Sequence, residues 1–260
     1  MPIYSRKKLA KQGPLPTLTK DFRHNHNVVE SHSSCPVPVA HFRGLAIVAA
    51  IGVFTESVSL VLWIAPLSAL VLGYFLGSIP FWVILTRMFG AGDLRTIGSG
   101  SIGATNVLRT GRKGLAAATL ILDGAKGAVA VLLAEAIQPG LGPMAGLAAF
   151  FGHCYPVWLR FRGGKGVATM FAVALALSWQ AGLLFAVVWL TTLAALRYSS
   201  VGGMLAALSA PVTAAVLGRN DLVALFLALA LMVLWKHRAN IERLRRGEEP
   251  KVGQKVQTHV

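Results

Sequence analysis

The chain has 260 residues, 55% hydrophobic and only 13% charged, with a mean hydropathy of +0.61. Soluble domains carry about a quarter charged residues, so the composition excludes an ordinary soluble enzyme and indicates a protein that crosses a membrane several times. The 25 Lys and Arg against 10 Asp and Glu gather between apolar runs and at both ends, which reads as membrane topology and contact with anionic headgroups rather than as a nucleic-acid surface.

Residues 1–43 are polar and basic, punctuated by Pro, Ser and His, and read as a disordered tail. His24, His26, His32 and His41 lack regular spacing and acidic or cysteine company, so no metal site is expected there. Cys35 and Cys154 fit neither a disulfide framework nor a metal-ligand spacing. Residues 44–60 are apolar but interrupted by Thr55–Ser57, and are expected as an extra, re-entrant or interfacial segment.

A crossing helix needs about 20 apolar residues. Seven spans are expected in the membrane domain 61–236, several of them short: Leu62–Thr86, then 114–137, 143–159, 167–178, 181–196, 201–217 and 222–235. Four alternate segments hold nearly all the intervening positive charge. They are the loop with Arg87, Arg95, Arg109, Arg112 and Lys113, the loop with Arg160, Arg162 and Lys165, the lone Arg197, and the basic segment 237–260 with Lys236 before it. The other three loops contribute Arg219 alone. By the positive-inside rule the four basic segments, the C-terminus and the site they form are cytoplasmic. The basic tail 1–43 fits that count only if 44–60 returns it to the same side.

The chemistry-bearing residues fall on those same segments. The first reads GDLRTIGSGSIGATNVLR. Its glycines let backbone amides converge and its hydroxyls add donors, which makes an anion-binding concavity, and Arg109 can grip a phosphate through two parallel hydrogen bonds. The second reads GHCYPVWLRFRGGKGVA. Gly163, Gly164, Lys165 and Gly166 run directly into an apolar span whose first amides and positive dipole end favour phosphate. Arg160 and Arg162 are explained by charge topology alone, and His153 and Pro156 by a kinked helix end. In the third, KHRANIERLRRGEE, His237 and Asn240 are three apart and share a helix face directed toward the membrane. Asp123 and Lys126, at depth in LDGAKGA, have the spacing of an intrahelical pair.

These three segments, in this order from about Leu70 to Glu248, resemble the bacterial acyl-phosphate-dependent glycerol-3-phosphate acyltransferases; GYFLGSIPF and LDGAKG are similar as well. The resemblance implies an all-α, seven-helix enzyme of the bacterial inner membrane. It would transfer a fatty acyl group from acyl phosphate to the sn-1 hydroxyl of glycerol 3-phosphate, with no cofactor and no metal. Matched residue by residue, it implies substrate or catalytic roles for Ser99, Arg109, Lys165, His237 and Asn240. The loop reading adds Gly100, Thr105, Asn106, Gly163, Gly164, Gly166 and Ser200 as phosphate-binding positions, with Asp93, Asp123, Lys126 and Lys236 in support. His237 is read as a general base or as a phosphate ligand, the second favoured because no Asp or Glu adjoins it in sequence.

The chain departs from the family at Ser101, where Asn is usual, and at Gly203, where a serine is expected, which predicts one lost phosphate contact. The partners implied are the two substrates and membrane lipids; the oligomeric state is open, a monomer being compatible. The alternative reading is a small anion or phosphate-ester transporter, disfavoured by the small, nearly uncharged loops on the other face. A lipid-phosphate phosphatase would need an Arg and two His, or clustered Asp for magnesium, and neither arrangement is present.

Overall fold

The computed structural model describes residues 63–90, 103–109 and 111–253, with the side chain of Arg109 left out. Among these residues the structure is entirely helical, without strands. Helix α1 spans residues 63–78, followed by α2 (Phe81–Met88), α3 (Ala104–Arg109), α4 (Lys113–Ile137) and α5 (Gly142–Cys154). After a single 3₁₀ turn, Val157–Leu159, come α6 (Val167–Leu177), α7 (Trp179–Leu196), α8 (Ser199–Val216), α9 (Asn220–Lys236) and α10 (Arg238–Arg245).

The apolar runs and their breaks place the helices close to where the sequence predicts them. Four helical stretches are long and apolar enough to cross a membrane: Trp63–Met88, Lys113–Ile137, Trp179–Leu196 and Ser199–Val216. A fifth exists if α9 and α10, bent by 55° at His237, count as one. At 13 and 11 residues, α5 and α6 are about 20 and 16 Å long and do not cross a 30 Å hydrocarbon core by themselves. The expected seven spans are therefore not carried by helix length alone.

Packing follows from small residues, as it must where lipid is as apolar as the side chains and hydrophobic burial cannot drive helix association. Gly73 and Gly77, four apart on α1, face Ala145 and Ala149, four apart on α5; a Cβ on either glycine would overlap the facing carbonyl oxygen. Gly152 of α5 meets the Tyr74 carbonyl in the same way. A second cluster joins α6 to α9, with Met170, Val173, Phe185, Phe226 and Leu229 packed against the alanines 206, 207, 210 and 214 of α8. Large apolar side chains also cover the exterior: Val216 is 80% exposed, Ile137 65% and Val212 62%. A soluble monomer does not present so continuous an apolar surface, so the exterior is built for lipid.

The first long helix breaks where Pro80 has no amide to donate. In an apolar medium the freed carbonyls need partners. The Lys126 ammonium of α4 donates to the Ile79 carbonyl at 3.1 Å, and the Trp158 indole donates to the Ser78 carbonyl. Lys126 is held by Asp123 one helical turn back, with Nζ and Oδ1 2.8 Å apart. The pair expected from the LDGAKGA spacing thus exists, and its task is to satisfy a helix break.

The α1–α5 contact gives a direct test. Gly77→Val forces two helix backbones apart, and its cost is expected near 1–3 kcal/mol, the range for overpacking a close-packed contact. Thermal unfolding in detergent reads this as a lowered midpoint, whereas Gly90→Ala, with open space around its Cβ position but a left-handed backbone, should cost less.

Candidate active site

A cavity of about 690 Å³ opens at one end of the helix set. It gathers the end of the first motif (Gly103, Thr105, Asn106), the glycine loop (Gly163, Gly164, Lys165, Gly166), the start of α8 (Ser199, Ser200) and the α9–α10 bend (Lys236, His237, Asn240). Its other arm is apolar, walled by Leu120 and Ile121 of α4, Phe171 and Ala172 of α6, and Phe185, Trp189 and Leu190 of α7. Asp93, Ser99, Gly100 and Ser101 lie outside the described residues; α3 ends at Arg109 beside the cavity-lining residues of its own first turn.

The glycine loop is shaped by α5. The amides of Gly163 and Gly164 donate to the Cys154 and His153 carbonyls at 3.1 and 3.0 Å. Their donors are thereby committed to the end of α5 and are not open to an anion. The steric reason for glycine is equally local. A Cβ at 163 would overlap the His153 carbonyl, one at 164 the His153 ring, and one at 166 the Phe150 ring. Gly166 also has φ +83°, where a side chain is disfavoured. The open donors begin after this point: Met170 makes the first α6 helical bond, back to Gly166, which leaves the amides of the preceding turn facing out of the helix.

His153, buried beneath the loop, brings Nδ1 to 3.6 Å from the Asp123 carboxylate. Thr169 of α6 donates to the Asp123 carbonyl at 2.8 Å. Asp123 lines the cavity, while Lys126 stands behind its wall. One buried cluster thus ties the α1–α2 break, α4, α5 and α6 together directly beneath the glycine loop. Lys236 adds a further tie, donating to the Cys154 carbonyl at 3.1 Å with its ammonium 4.4 Å from the centre of the Tyr155 ring.

The α9–α10 bend holds the acceptors. His237 is buried, and its Nδ1 lies 2.8 Å from the Val233 carbonyl. A carbonyl only accepts, so Nδ1 carries the proton and Nε2 is left with a lone pair. Burial, then the positive charge of Lys165, push the imidazole down to about 4 from its ordinary value of 6.5. The ring is neutral at pH 7. The expected absence of an orienting group concerned side chains; the orienting group is a backbone carbonyl.

Asn240 donates its amide nitrogen to Glu249 at 2.6 Å, and its carbonyl oxygen has no hydrogen-bond partner among the described residues. Glu249, which the sequence left within the basic tail, is a buried hub. It also accepts from Ser200 at 2.8 Å and pairs with Arg243 at 2.8 Å. Burial pushes its carboxyl up, but the bonds from Asn240, Ser200 and Arg243 win and leave it below the ordinary value. Ser200, expected as a phosphate ligand, therefore spends its hydroxyl on Glu249, while the neighbouring Ser199 faces Thr105 at 3.1 Å. Beyond Glu249 the chain returns across α7: Val252 donates to the Arg197 carbonyl at 2.8 Å, and Pro250 and Val252 line the cavity. At Gly203, a Cβ would meet Val167 of α6 at 3.0 Å, so the missing side chain lets α8 approach the first turn of α6.

The arrangement can hold a molecule that is anionic and hydroxylated at one end and apolar at the other. Comparison with known proteins gives the class. The profile of the Glycerol-3-phosphate acyltransferase family matches residues 67–247. A glycerol-3-phosphate acyltransferase of Mesorhizobium japonicum is 54% identical over 187 residues, covering 72% of this chain and 96% of the relative. One from Methylorubrum populi is 55% identical over 193 residues, covering 74% and 96%. The crystal structure of PlsY (YgiH), an integral membrane glycerol 3-phosphate acyltransferase, in its glycerol 3-phosphate form, superposes with a TM-score of 0.69 at 35% identity, covering 72% of this chain and 96% of that one. Its lysophosphatidic acid form gives 0.67 at 34% identity. The chain belongs to the glycerol-3-phosphate acyltransferase family of integral membrane proteins.

The Glu249 hub carries a stability prediction. Its carboxylate contributes fully above pH 4.5, and the contribution is lost as pH falls through the lowered value of the folded protein. His237 acts in the same direction: between about 6.5 and about 4 the unfolded chain binds the proton that the folded ring refuses, so stability falls with pH across that window. Glu249→Gln is expected to cost about 2 kcal/mol near neutral pH, the scale of hydrogen bonds to a charged group, and to flatten the acid loss below pH 4.5. Detergent unfolding of both proteins across that range measures it.

Proposed function

We propose that the chain transfers a fatty acyl group from acyl phosphate to the sn-1 hydroxyl of glycerol 3-phosphate, at the cytoplasmic face of the bacterial inner membrane. The hydroxyl oxygen bonds to the acyl carbonyl carbon, the bond from that carbon to the phosphate oxygen breaks, and lysophosphatidate and inorganic phosphate leave. The observation that carries this reading is a single cavity that joins all three motif segments to an apolar arm. The positive-inside count puts those segments on the cytoplasmic side.

Within the cavity the labour divides by chemistry. Lys165 and the outward-facing amides at the start of α6 are the cationic and donor groups, suited to the phosphates and to offsetting their mutual repulsion. Arg109 joins them on the sequence of the first motif. The phosphate reading of Ser99 and Gly100 rests on the sequence of the first loop. His237 Nε2 and Asn240 Oδ1 are both acceptors, and an acceptor does not bind a phosphate oxygen that carries no proton. They suit the hydroxyls of glycerol 3-phosphate. We therefore assign His237 to accept the proton of the attacking hydroxyl, which then passes to the departing phosphate, and Asn240 to orient the glycerol. The acyl carbonyl is already activated by its phosphate, so positioning and charge stabilisation supply much of the rate without metal or cofactor.

Purified protein in lipid mesophase, given palmitoyl phosphate and glycerol 3-phosphate, should form lysophosphatidate and phosphate in equal amounts, and palmitoyl-CoA should not serve as donor. Turnover from palmitoyl-CoA alone would overturn the donor assignment, and no turnover from either would overturn the reaction. Lys165→Ala and His237→Ala are each expected to lower kcat/KM by about 10²-fold or more. The acid limb that belongs to His237 should fall near pH 4 in kcat/KM; a limb near 6.5 that disappears in His237→Ala would contradict a buried neutral base.

A further inference from the structure

An acyl phosphate is a mixed anhydride, and water attacks its carbonyl carbon much as a hydroxyl group does. The lone pair of His237 Nε2 serves either one. A site with that combination transfers acyl groups cleanly only if it keeps water from the reacting carbon. The segment that follows α10 is placed to do this.

Gly247, with φ +73°, turns the chain out of α10, and Glu249 fastens it to Ser200, Asn240 and Arg243. At Val252 it is fastened again. The Val252 amide donates to the Arg197 carbonyl at 2.8 Å, and the Arg197 guanidinium donates to the Val252 carbonyl at 3.0 Å. Between the two fastenings Pro250 contributes its ring to the cavity lining, as Val252 does at the second. Lys251 instead sets its ammonium 5.5 Å from the centre of the Tyr198 ring. Pro250, Lys251 and Val252 are half-buried, whereas Arg245, Arg246, Glu248 and Gly253 around them are exposed. The strap Glu249–Val252 thus has one side on the cavity and the other on water. Neither Pro250 nor Val252 has a polar side-chain atom to hold a water in the cavity wall.

The two fastenings differ in kind. Glu249 is buried, with charge-assisted bonds to two helices. The Arg197–Val252 pair is two exposed bonds, and exposed bonds at the end of a segment open first. Glu249 is the hinge and the Arg197–Val252 pair the latch. We propose that the latched strap selects the acceptor, excluding water from the acyl carbon so that only the glycerol hydroxyl attacks it. The inference rests on the acyl-phosphate reading above. With the latch open, a water oxygen bonds to the acyl carbonyl carbon and the bond from that carbon to the phosphate oxygen breaks. One proton of the water passes through His237 to the phosphate, the other stays on the new carboxyl group, and fatty acid and phosphate leave.

The test compares wild type with Val252→Pro, which removes the latch amide, and Arg197→Ala, which removes the latch guanidinium. Phosphate and lysophosphatidate formed from palmitoyl phosphate and glycerol 3-phosphate are counted together, after subtraction of the enzyme-free rate. Their ratio does not depend on the fraction of protein that is folded. Wild type should give one phosphate per lysophosphatidate, and both latch variants an excess of phosphate matched by palmitate. Without glycerol 3-phosphate, palmitate release should rise about fivefold in each variant, the worth of one hydrogen bond. If Val252→Pro does not fold, Arg197→Ala carries the test, since its backbone bond to Val252 is retained.

Hydroxyl-radical labelling of His237, read by mass spectrometry on the same proteins in nanodiscs, measures water entry without turnover. It should rise about fivefold in the latch variants. A product ratio that stays at one in active latch variants overturns the strap's selection of the acceptor and leaves the reaction standing, as does unchanged labelling. A wild type that turns over no acyl phosphate, with labelling that still rises in the latch variants, overturns the reaction and supports the strap as the barrier to water.

Discussion

Every carbonyl buried in an apolar solvent needs a partner, and this protein opens two of them at Pro80. Lys126 takes one and Trp158 the other. A lone ammonium at that depth would be costly, so Asp123 stands beside it, and the Asp123 carboxylate in turn faces the His153 ring under the glycine loop. The broken first helix, the long α4, the short α5 and the start of α6 are thereby fixed relative to one another through one compact group of charges. Remove it and the glycine loop loses its bed, because Gly163 and Gly164 are hydrogen-bonded to the same end of α5 that carries His153.

On that bed the polar cavity separates donors from acceptors. The positive and amide donors come from the glycine loop and α6. The acceptors come from the α9–α10 bend, where His237 spends its proton on Val233 and Asn240 spends its amide on Glu249. Glu249 is the counterpart of Asp123 on the other side of the site. It binds α8 through Ser200 and α10 through Asn240 and Arg243, and so fixes the distance between two walls. Two buried carboxylates hold the frame, Asp123 on one side of the site and Glu249 on the other.

Much of this was legible in the sequence, and the rest fails for identifiable reasons. Helix positions followed from apolar runs broken by Pro, Gly and charge, because the membrane sets a minimum run length. That the three motifs share a site followed from their common charge and alternation. The role of the glycines did not: Gly164 looked like a phosphate loop because its composition is that of one, but its Cβ position is filled by a ring eleven residues earlier. Close approach depends on both partners, and Gly73 and Gly77 gave no sign that Ala145 and Ala149 would face them. Glu249 was hidden among charged neighbours, since nothing local distinguishes a solvated glutamate from one covered by Ser200 and Asn240. Ser200 was assigned to phosphate for the same lack of its partner.

The cavity divides its groups into cations for phosphate and acceptors for hydroxyls, and substrate binding tests that division without catalysis. Affinities of glycerol 3-phosphate and of 2-hydroxypropyl phosphate, which lacks the sn-1 hydroxyl, would be measured for wild type and His237→Ala. If the division holds, wild type prefers glycerol 3-phosphate by about tenfold, the worth of one satisfied buried hydrogen bond, and His237→Ala binds the two alike. Equal losses for both ligands in His237→Ala, with the wild-type preference retained, would mean that His237 grips phosphate and would contradict it.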